Sequence, residues 1–174
     1  HLDSVNSKNG VPSFYVGTER IDSNYYSLLS TSVNNELSEL SEVNLAINHN
    51  FNDNKFNVNI HSQLANGFNG ENCYLAIYII EDELVKPQEI DGFIDSVTGT
   101  NYNSNFTHNN ILRAEANASG SAFGEPIIFR PDGNNIISYN AINLQPLTVW
   151  NYNNLYIVAV IWQKIGDDFR FLNF

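Results

Sequence analysis

The stretch CYLAIYIIED, residues 73–82, decides how this chain of 174 residues can fold. Its first eight residues form an apolar run with the length of a single strand, and such a run is typical of a central strand covered on both faces. Two acidic residues, Glu81 and Asp82, follow at its end. A carboxylate at a partly buried sheet end is costly unless it is paired, so the stretch also predicts a charged partner nearby.

On both sides of this stretch, apolar and polar residues alternate with a period of two, as they do in half-buried strands. The turn Asn52-Asp53-Asn54 separates two alternating segments and predicts a hairpin with one buried and one wet face. Further strands are expected at 110–117, 135–142, 155–164 and 169–172. The side chains expected to point inward are Val43, Leu45, Ile47, Phe56, Val58, Ile60, Ile77, Ile79, Val158 and Val160.

Short strands separated by Gly, Asn and Pro turns favour a mainly β fold. We therefore predict an antiparallel, immunoglobulin-like β-sandwich over residues 43–174, preceded by one helix near the N-terminus. No apolar run approaches the ~20 residues that a membrane-spanning helix needs.

The first 42 residues follow a different pattern. Residues 11–16 contain a proline near their start and predict an extended segment. Residues 24–39 are predicted to form a helix, because apolar side chains recur there at spacings of three and four. The stripe they form consists of Tyr26, Leu29, Val33, Leu37 and Leu40. It must cover the sandwich, another domain or another copy of the chain, so a homodimer formed through this helix is one expectation.

Acidic residues dominate the charge, since nineteen Asp and Glu against eight Lys and Arg give a net charge of −11. This balance excludes a nucleic-acid-binding surface and argues against an anionic membrane surface, because both partners require a positively charged protein surface. Asparagine is unusually abundant, with 29 residues in the chain. It is neutral and suits turns, so turns and polar strand faces account for many of these residues.

Only one cysteine is present, Cys73, which excludes an intrachain disulfide and a Cys-rich zinc site. Its place in an apolar run predicts a buried, inert thiol. The four histidines are scattered and lack the spacing of a zinc site. Calcium is the better metal candidate because oxygen ligands abound, although residues 50–54 lack the glycine and terminal Glu of an EF-hand loop.

The densest group of polar residues lies around the end of the apolar run. Its members are Glu81, Asp82, Gln88, His108, Asn109 and Arg113. These residues either anchor the long segment between Asp82 and Asn109 to the sheet or form a ligand or metal site. Catalysis is disfavoured because no nucleophile with a partner is evident. We expect Arg113 to lie within hydrogen-bonding distance of Glu81 or Asp82, with Gln88 or His108 completing the network.

Trp150 and Tyr152, which lie beside several asparagines, are candidates for a glycan-binding platform, and packing into the core is the alternative. Two N-glycosylation sequons begin at Asn105 and Asn117. They matter only in a glycosylating cell, because matches of three residues are common by chance.

Residues 74–82, Gln88 and the segment 108–113, followed by Gly120 and Gly124, resemble the outer membrane protein twenty-eight family of Bacteroidetes. The family pattern is an apolar strand ending in Glu-Asp, a Gln, and a His-Asn-His-hydrophobic-Leu-Arg segment. Here Asn110 replaces the second His, which argues against a role that needs paired imidazoles. The resemblance covers most of residues 43–174 and implies an extracytoplasmic protein of the outer membrane or cell surface, secreted or lipid-anchored.

In proteins of this family a thioredoxin-like domain often precedes the sandwich. The resemblance thus implies that residues 1–42 are a strand–helix remnant of such a domain, with Val11-Pro12 at its cis-proline position. The family's Cys-x-x-Cys motif does not occur in this sequence, so no thiol chemistry is assigned to it. Membrane association would then depend on an anchor outside this sequence.

Together these features predict a non-enzymatic interaction or adhesion module with an unidentified protein or glycan partner. No cofactor is expected, with calcium as the exception that the oxygen-rich loops allow. One alternative is a fragment of a redox or accessory protein whose thioredoxin-like active half lies upstream. The other alternative is a glycan-binding sandwich that uses Trp150 and Tyr152.

Overall fold

A computed structural model describes residues 14–16, 19–21, 26–38, 40–52, 55–90, 92, 94–117, 121–143 and 150–173. The described part is mainly β, with antiparallel sheets and one α-helix. Its elements are β1 (Phe14–Val16), β2 (Glu19–Ile21), α1 (Tyr26–Ser38), β3 (Val43–Asn52), β4 (Lys55–Leu64), β5 (Cys73–Glu81), β6 (Leu84–Glu89), β7 (Tyr102–His108), β8 (Ile111–Glu115), β9 (Glu125–Pro126), β10 (Asn134–Asn143), β11 (Leu155–Ile165) and β12 (Asp168–Asn173).

The N-terminal segments match the predicted order of an extended segment and a helix. Strand β1 lies within the predicted 11–16 segment, whose first three residues fall outside the described part, and it pairs with β2 as an antiparallel hairpin. Helix α1 lies within the predicted range 24–39. The end of the predicted apolar stripe is exposed to solvent, since Leu37 in the helix is 77% exposed and Leu40, beyond its end, is 93% exposed. No helix in the described part is long and apolar enough to cross a lipid bilayer.

A first sheet has the strand order β10-β4-β3, with β4 in the middle. The predicted hairpin is confirmed, because β3 and β4 pair antiparallel from Val43 opposite Leu64 to Asn52 opposite Lys55. Alternating residues of β4 are buried and exposed along most of the strand. One face of this sheet is therefore packed and the other is wet.

A second sheet is built around β5, in the order β12-β11-β5-β8, with the short strand β9 also paired to β5. Eight of the nine β5 residues are apolar, and all nine are buried or half-buried, as predicted for a central strand. The full length of β5 pairs with β11 on one side, from Cys73 opposite Gln163 to Glu81 opposite Leu155. Its other side is shared between β8 and β9.

One core lies between the two sheets and draws side chains from both of them. Its fully buried members include Val43, Val58, Ile60, Leu75, Ile77, Ile79 and Ile161. Most of the side chains predicted to point inward belong to this core: Phe56 is also buried in it, and Leu45 and Ile47 pack against it. Burying several large aliphatic side chains contributes about 1.5–3 kcal/mol each to stability.

The prediction for Val158 and Val160 was wrong. These residues pair with Tyr78 and Ala76, and they face a second cluster on the outer side of the second sheet. The residues of β11 that face the shared core are their neighbours Ala159 and Ile161. Because β11 is apolar on both faces, its sequence does not show which side faces which layer.

Aromatic residues cover the outer side of the second sheet. Phe123 stacks on Phe169 with ring centroids 3.8 Å apart and meets Trp162 edge-on. The Tyr78 hydroxyl donates to the backbone oxygen of Ala122. The segment that carries Phe123 therefore closes the second face of β5.

Between β8 and β9, the side chain of Asn117 completes the hydrogen-bond ladder of β5. Its Oδ1 accepts from the Ile77 N–H at 2.7 Å, and its Nδ2 donates to the Leu75 carbonyl at 3.0 Å. Nδ2 also lies 3.2 Å from the Tyr139 hydroxyl. A buried amide thus takes the place of a strand backbone at two positions that would otherwise lack partners.

Gly124 approaches β5 more closely than any side chain would allow. A Cβ at this position would lie 1.9 Å from the Leu75 carbonyl oxygen, and the residue has φ of +78°. Both the space and the backbone conformation therefore require glycine here.

We expect Gly124→Ala to lower the free energy of unfolding by about 3 kcal/mol or more, from about 1–2 kcal/mol of left-handed strain and about 1–3 kcal/mol of overpacking. The matched control is Gly166→Ala, where φ is +63° and no atom lies near the added Cβ. In this control only the left-handed strain should lower the free energy of unfolding, by about 1–2 kcal/mol. Urea denaturation measures both, and equal losses in the two variants would contradict the close approach to β5.

Candidate functional site

Glu81, at the end of β5, is a buried carboxylate, 2% exposed. Its Oε2 forms an ion pair with Arg113 Nε at 3.0 Å, and its Oε1 accepts the backbone N–H of Asn151 at 2.8 Å. Both oxygens are therefore engaged by protein groups, which is the condition under which a buried carboxylate is tolerated. The predicted pairing of Arg113 with Glu81 is confirmed.

A β-bulge places Arg113 where it can reach this carboxylate. Ile79 pairs with Ala114, but its neighbour Ile80 pairs with Leu112, so Arg113 is the extra residue of β8. The extra residue lets Ala114 pack against the shared core while Arg113 turns towards Glu81.

Trp150 and Asn151 cover the ion pair from the segment before β11. The Arg113 guanidinium carbon lies 5.2 Å from the ring centroid of Trp150, within range of a cation–π contact. Asn151 then begins a single 3₁₀ turn, Tyr152–Asn154, and its side chain accepts from the Asn153 N–H. The Asp82 N–H donates to the Asn154 carbonyl at 3.0 Å. The two acidic residues thus fix this segment onto the end of β5.

Asp82 and Asn109 form a reciprocal clasp between the turn after β5 and the turn before β8. Asp82 Oδ1 accepts from the Asn110 N–H at 2.7 Å, and Asn109 Oδ1 accepts from the Glu83 N–H at 3.0 Å. Glu83 and Asn110 have φ of +56° and +57°, a left-handed conformation that is strained for Glu and tolerated by Asn. This arrangement agrees with the structural alternative, in which these residues anchor the segment between Asp82 and Asn109 to the sheet.

Tyr156 closes the same clasp from β11, where its hydroxyl donates to Asn110 Oδ1. Burial raises the pKa of the Tyr156 phenol, and the nearby Asp82 carboxylate raises it further. The phenol therefore stays protonated at neutral pH and keeps its donor. Asn110 thus links the turn before β8 to β11.

Gln88 and His108 do not join the Glu81 network, contrary to the prediction. They lie on β6 and β7, which form a separate two-stranded sheet. The Gln88 amide donates to the Glu89 carbonyl, and the His108 ring packs edge-on against Phe106. Their strands pair with each other, with His108 opposite Leu84 at the base of this ladder and Gln88 opposite Asn103 further along it.

The structure gives Trp150 and Tyr152 different partners. The Arg113 guanidinium lies over the Trp150 ring, and Tyr152 stacks on Phe51 with centroids 4.8 Å apart. Both side chains also pack against the shared core. One face of each ring is thus covered, which favours the packing alternative for both residues.

Within the described residues, no three His, Cys, Asp or Glu side chains are grouped closely enough to hold a metal ion. The expected calcium site stays a prediction. Glu81 is a poor calcium ligand here, because protein donors already occupy both of its carboxylate oxygens.

Cys73 is buried in the shared core at the start of β5. Its thiol lies 3.8 Å from the Glu71 carbonyl, and burial raises the pKa of the thiol to about 11. It is therefore protonated and enclosed at neutral pH, which confirms the prediction of a buried thiol.

Asn117 is the residue whose role the sequence analysis missed. The sequence predicted it as the last residue of a strand and the start of a sequon, but it is buried and its side-chain amide is bonded to β5. Its one available signal was an asparagine at the end of a predicted strand, which is too common in this chain to be informative.

The thiol pKa is about 11 in the folded chain and 9.0 for an ordinary cysteine. The contribution of the protonated Cys73 thiol to the free energy of unfolding is therefore fully present below pH 9. This contribution, about 2–3 kcal/mol, should be lost as the pH rises from about 9 to about 11. Urea unfolding at pH 8 and pH 11 measures the loss. Cys73→Ala lacks the titrating group, so its stability should fall less over the same interval, and parallel losses in the two proteins would contradict the assignment.

Removing one partner of the buried pair should be costly, because it leaves the other charge buried and unpaired. We expect Arg113→Ala to lower the free energy of unfolding by about 3–5 kcal/mol. Arg170→Ala is the matched control, since the Arg170–Glu42 pair is 42% and 37% exposed, and it should lose about 1 kcal/mol or less. A loss in Arg113→Ala no larger than in the control would show that Glu81 does not depend on its partner.

The chain matches the family described as outer membrane protein Omp28 over residues 1–169. HBP35 of Porphyromonas gingivalis has a similar structure, with a TM-score of 0.74 and 10% sequence identity; the match covers 99% of this chain and 54% of that one. This chain therefore spans about half the length of HBP35, and at this identity the likeness is one of fold.

A domain of the outer membrane lipoprotein Omp28 from Porphyromonas gingivalis is also found, with a TM-score of 0.43 and 14% identity over 78% of this chain and 89% of that one. No curated protein sequence matches the chain. The family match covers nearly the whole sequence and confirms the resemblance seen in the motifs around Glu81. The chain belongs to the Omp28 family, and it is an extracytoplasmic protein of the outer membrane.

Proposed function

We propose that this chain is a non-enzymatic interaction or adhesion module at the outer membrane surface. In this proposal the two sheets form an immunoglobulin-like β-sandwich that serves as a rigid support. The proposal is supported by the sharing of one core between the sheets and by the structural use of the polar groups around Glu81. The redox alternative gains no support from this chain, because its only cysteine is buried.

The observation that carries the proposal is an arm that projects from the end of β5, formed by β6, β7 and the described residues between them. The two strands pair only with each other within the described part of the chain. The arm carries exposed aliphatic side chains near its tip, where Ile94 is 69% and Val97 91% exposed. Exposed apolar groups clustered on a structured element mark interaction surfaces.

The tip of the arm is a preformed turn. The Asp95 carboxylate accepts the N–H groups of Val97 and Thr98, both at 2.8 Å, and these bonds lower the pKa of Asp95. The Gly99 N–H donates to the Asp95 carbonyl, which closes the turn. A turn held in this way presents its side chains at a lower entropic cost of binding than a flexible loop would.

The clasp made by Asp82 and Asn109 gives the arm its base. A lone two-stranded hairpin is only marginally stable in water, so bonds at its base matter for its orientation. We infer that the arm is the contact surface of the module and that its partner is a surface protein of the cell or of its surroundings.

We expect the chain to bind saturably to the surface of cells of the producing bacterium, and the double variant Ile94→Asp, Val97→Asp to bind about tenfold more weakly or worse. The matched control is Ile165→Asp, which adds a charge at an exposed isoleucine at the end of β11. Labelled protein and flow cytometry provide the measurement, with and without a calcium chelator.

Equal binding of the arm variant and the control would exclude the arm as the contact surface. Lack of saturable binding by the unmodified chain would contradict the proposed function. A loss of binding on chelation alone would show that a cation belongs to the contact. The homodimer through α1 stays a separate prediction, favoured by the exposure of Leu37 and Leu40.

A further inference from the structure

The wet face of the first sheet carries an ordered array of neutral polar side chains, which we call the amide face. Its first row crosses the three strands at Asn44, Gln63 and Asn134, which are register partners. Another row crosses at Asn48, Asn59 and Ser138. Each row spans three strands that lie about 4.8 Å apart.

A less polar row lies between these two, formed by Ala46, His61 and Ile136. Ile136 is an exposed aliphatic side chain at one end of this row, and Ala46, on the far side of His61, exposes only a methyl group. A groove of about 320 Å³ runs over this row and the first one, a volume within the range of small-ligand sites. The face thus combines hydrogen-bonding amides with a less polar row that holds one exposed aliphatic side chain, Ile136.

None of these nine positions carries Asp, Glu, Lys or Arg, although the chain has 27 such residues and a net charge of −11. Charged side chains occur beyond the ends of the rows, at Glu42 just before β3, at Asp132 in the turn before β10 and at Lys55 at the start of β4. A cationic ligand finds no counter-charge on the face itself, and an anionic ligand is repelled by the net charge.

Cross-strand hydrogen bonds hold part of the array in place. The Ser138 hydroxyl donates to Asn59 Oδ1 at 2.6 Å, and Asn57 Nδ2 donates to Asn50 Oδ1 at 2.9 Å in the next row. Side chains that are ordered before binding lose less entropy when a ligand arrives.

We propose that the amide face binds a neutral oligosaccharide, independently of the contact proposed for the arm. Amide and hydroxyl groups act as both donors and acceptors, which matches the hydroxyl groups around a sugar ring. The exposed Ile136 side chain offers an apolar contact for the C–H face of the ring. A protein partner is a poorer match, because these rows hold none of the Trp, Tyr or Arg anchors that dominate protein interfaces.

The test is a glycan array with neutral and sulfated oligosaccharides, followed by titration calorimetry on the best neutral one. The double variant Asn44→Ala, Gln63→Ala should weaken binding about tenfold or more, since it removes two amides that line the groove. Asn105→Ala is the matched control, because it removes an exposed amide from β7 and should leave binding unchanged. Thermal denaturation checks that each variant is folded.

The proposal is overturned if no neutral glycan binds at millimolar concentration, if sulfated glycans bind better, or if the double variant binds like the unmodified chain. Loss of binding in Trp150→Ala with full binding in the double variant would place the sugar at the other end of the molecule and would also overturn it. The arm variant Ile94→Asp, Val97→Asp should keep its glycan binding. Failure of the arm and failure of the amide face can thus be told apart.

Discussion

Burial of β5 on both faces is the constraint on which the rest of the structure depends. One face of the strand meets the core shared with the first sheet, and the other meets the aromatic cluster around Phe123 and Trp162. The backbone of β5 must also be satisfied on both edges, because an unpaired buried N–H or C=O is costly. Strand β11 serves one edge completely, whereas β8, the Asn117 side chain and β9 share the other.

This shared edge explains why two isolated residues matter so much. Asn117 supplies a donor and an acceptor where no strand lies alongside β5, and Gly124 lets the following segment touch the Leu75 carbonyl. Both residues act on the backbone of β5 rather than on its side chains. Their contribution is therefore hydrogen bonding and close approach, whereas the surrounding aliphatic residues contribute burial.

The sequence predicted a structural feature correctly where every other arrangement of the same residues would have been energetically costly. A carboxylate at the end of an apolar strand requires a cation, so the pairing of Glu81 with Arg113 was predictable. The hairpin of β3 and β4 was predictable because only one of its faces is apolar. The side of the sheet that Val158 faces was not predictable. Strand β11 is apolar on both sides, so alternation of apolar and polar residues carries no information there.

Other features depend on tertiary placement that a local pattern does not contain. Gln88 and His108 lie close to the clasp in sequence, yet they belong to the separate β6–β7 sheet. The bonds of Asn117 depend on a gap between two strands, which appears only after the sheet is assembled. The predicted division of the chain at residue 42 likewise stays a prediction, and the family match extends across it.

Glu81 and Asp82, two adjacent acidic residues at the end of β5, bind different parts of the chain. Successive side chains of a strand point to opposite sides, so Glu81 turns into the core and Asp82 turns outward. Glu81 holds Arg113 and the segment before β11, whereas Asp82 holds the base of the arm. These bonds tie the base of an exposed hairpin to the most buried strand of the fold. An arm without a core of its own depends on such bonds at its base, because a lone two-stranded hairpin is only marginally stable in water.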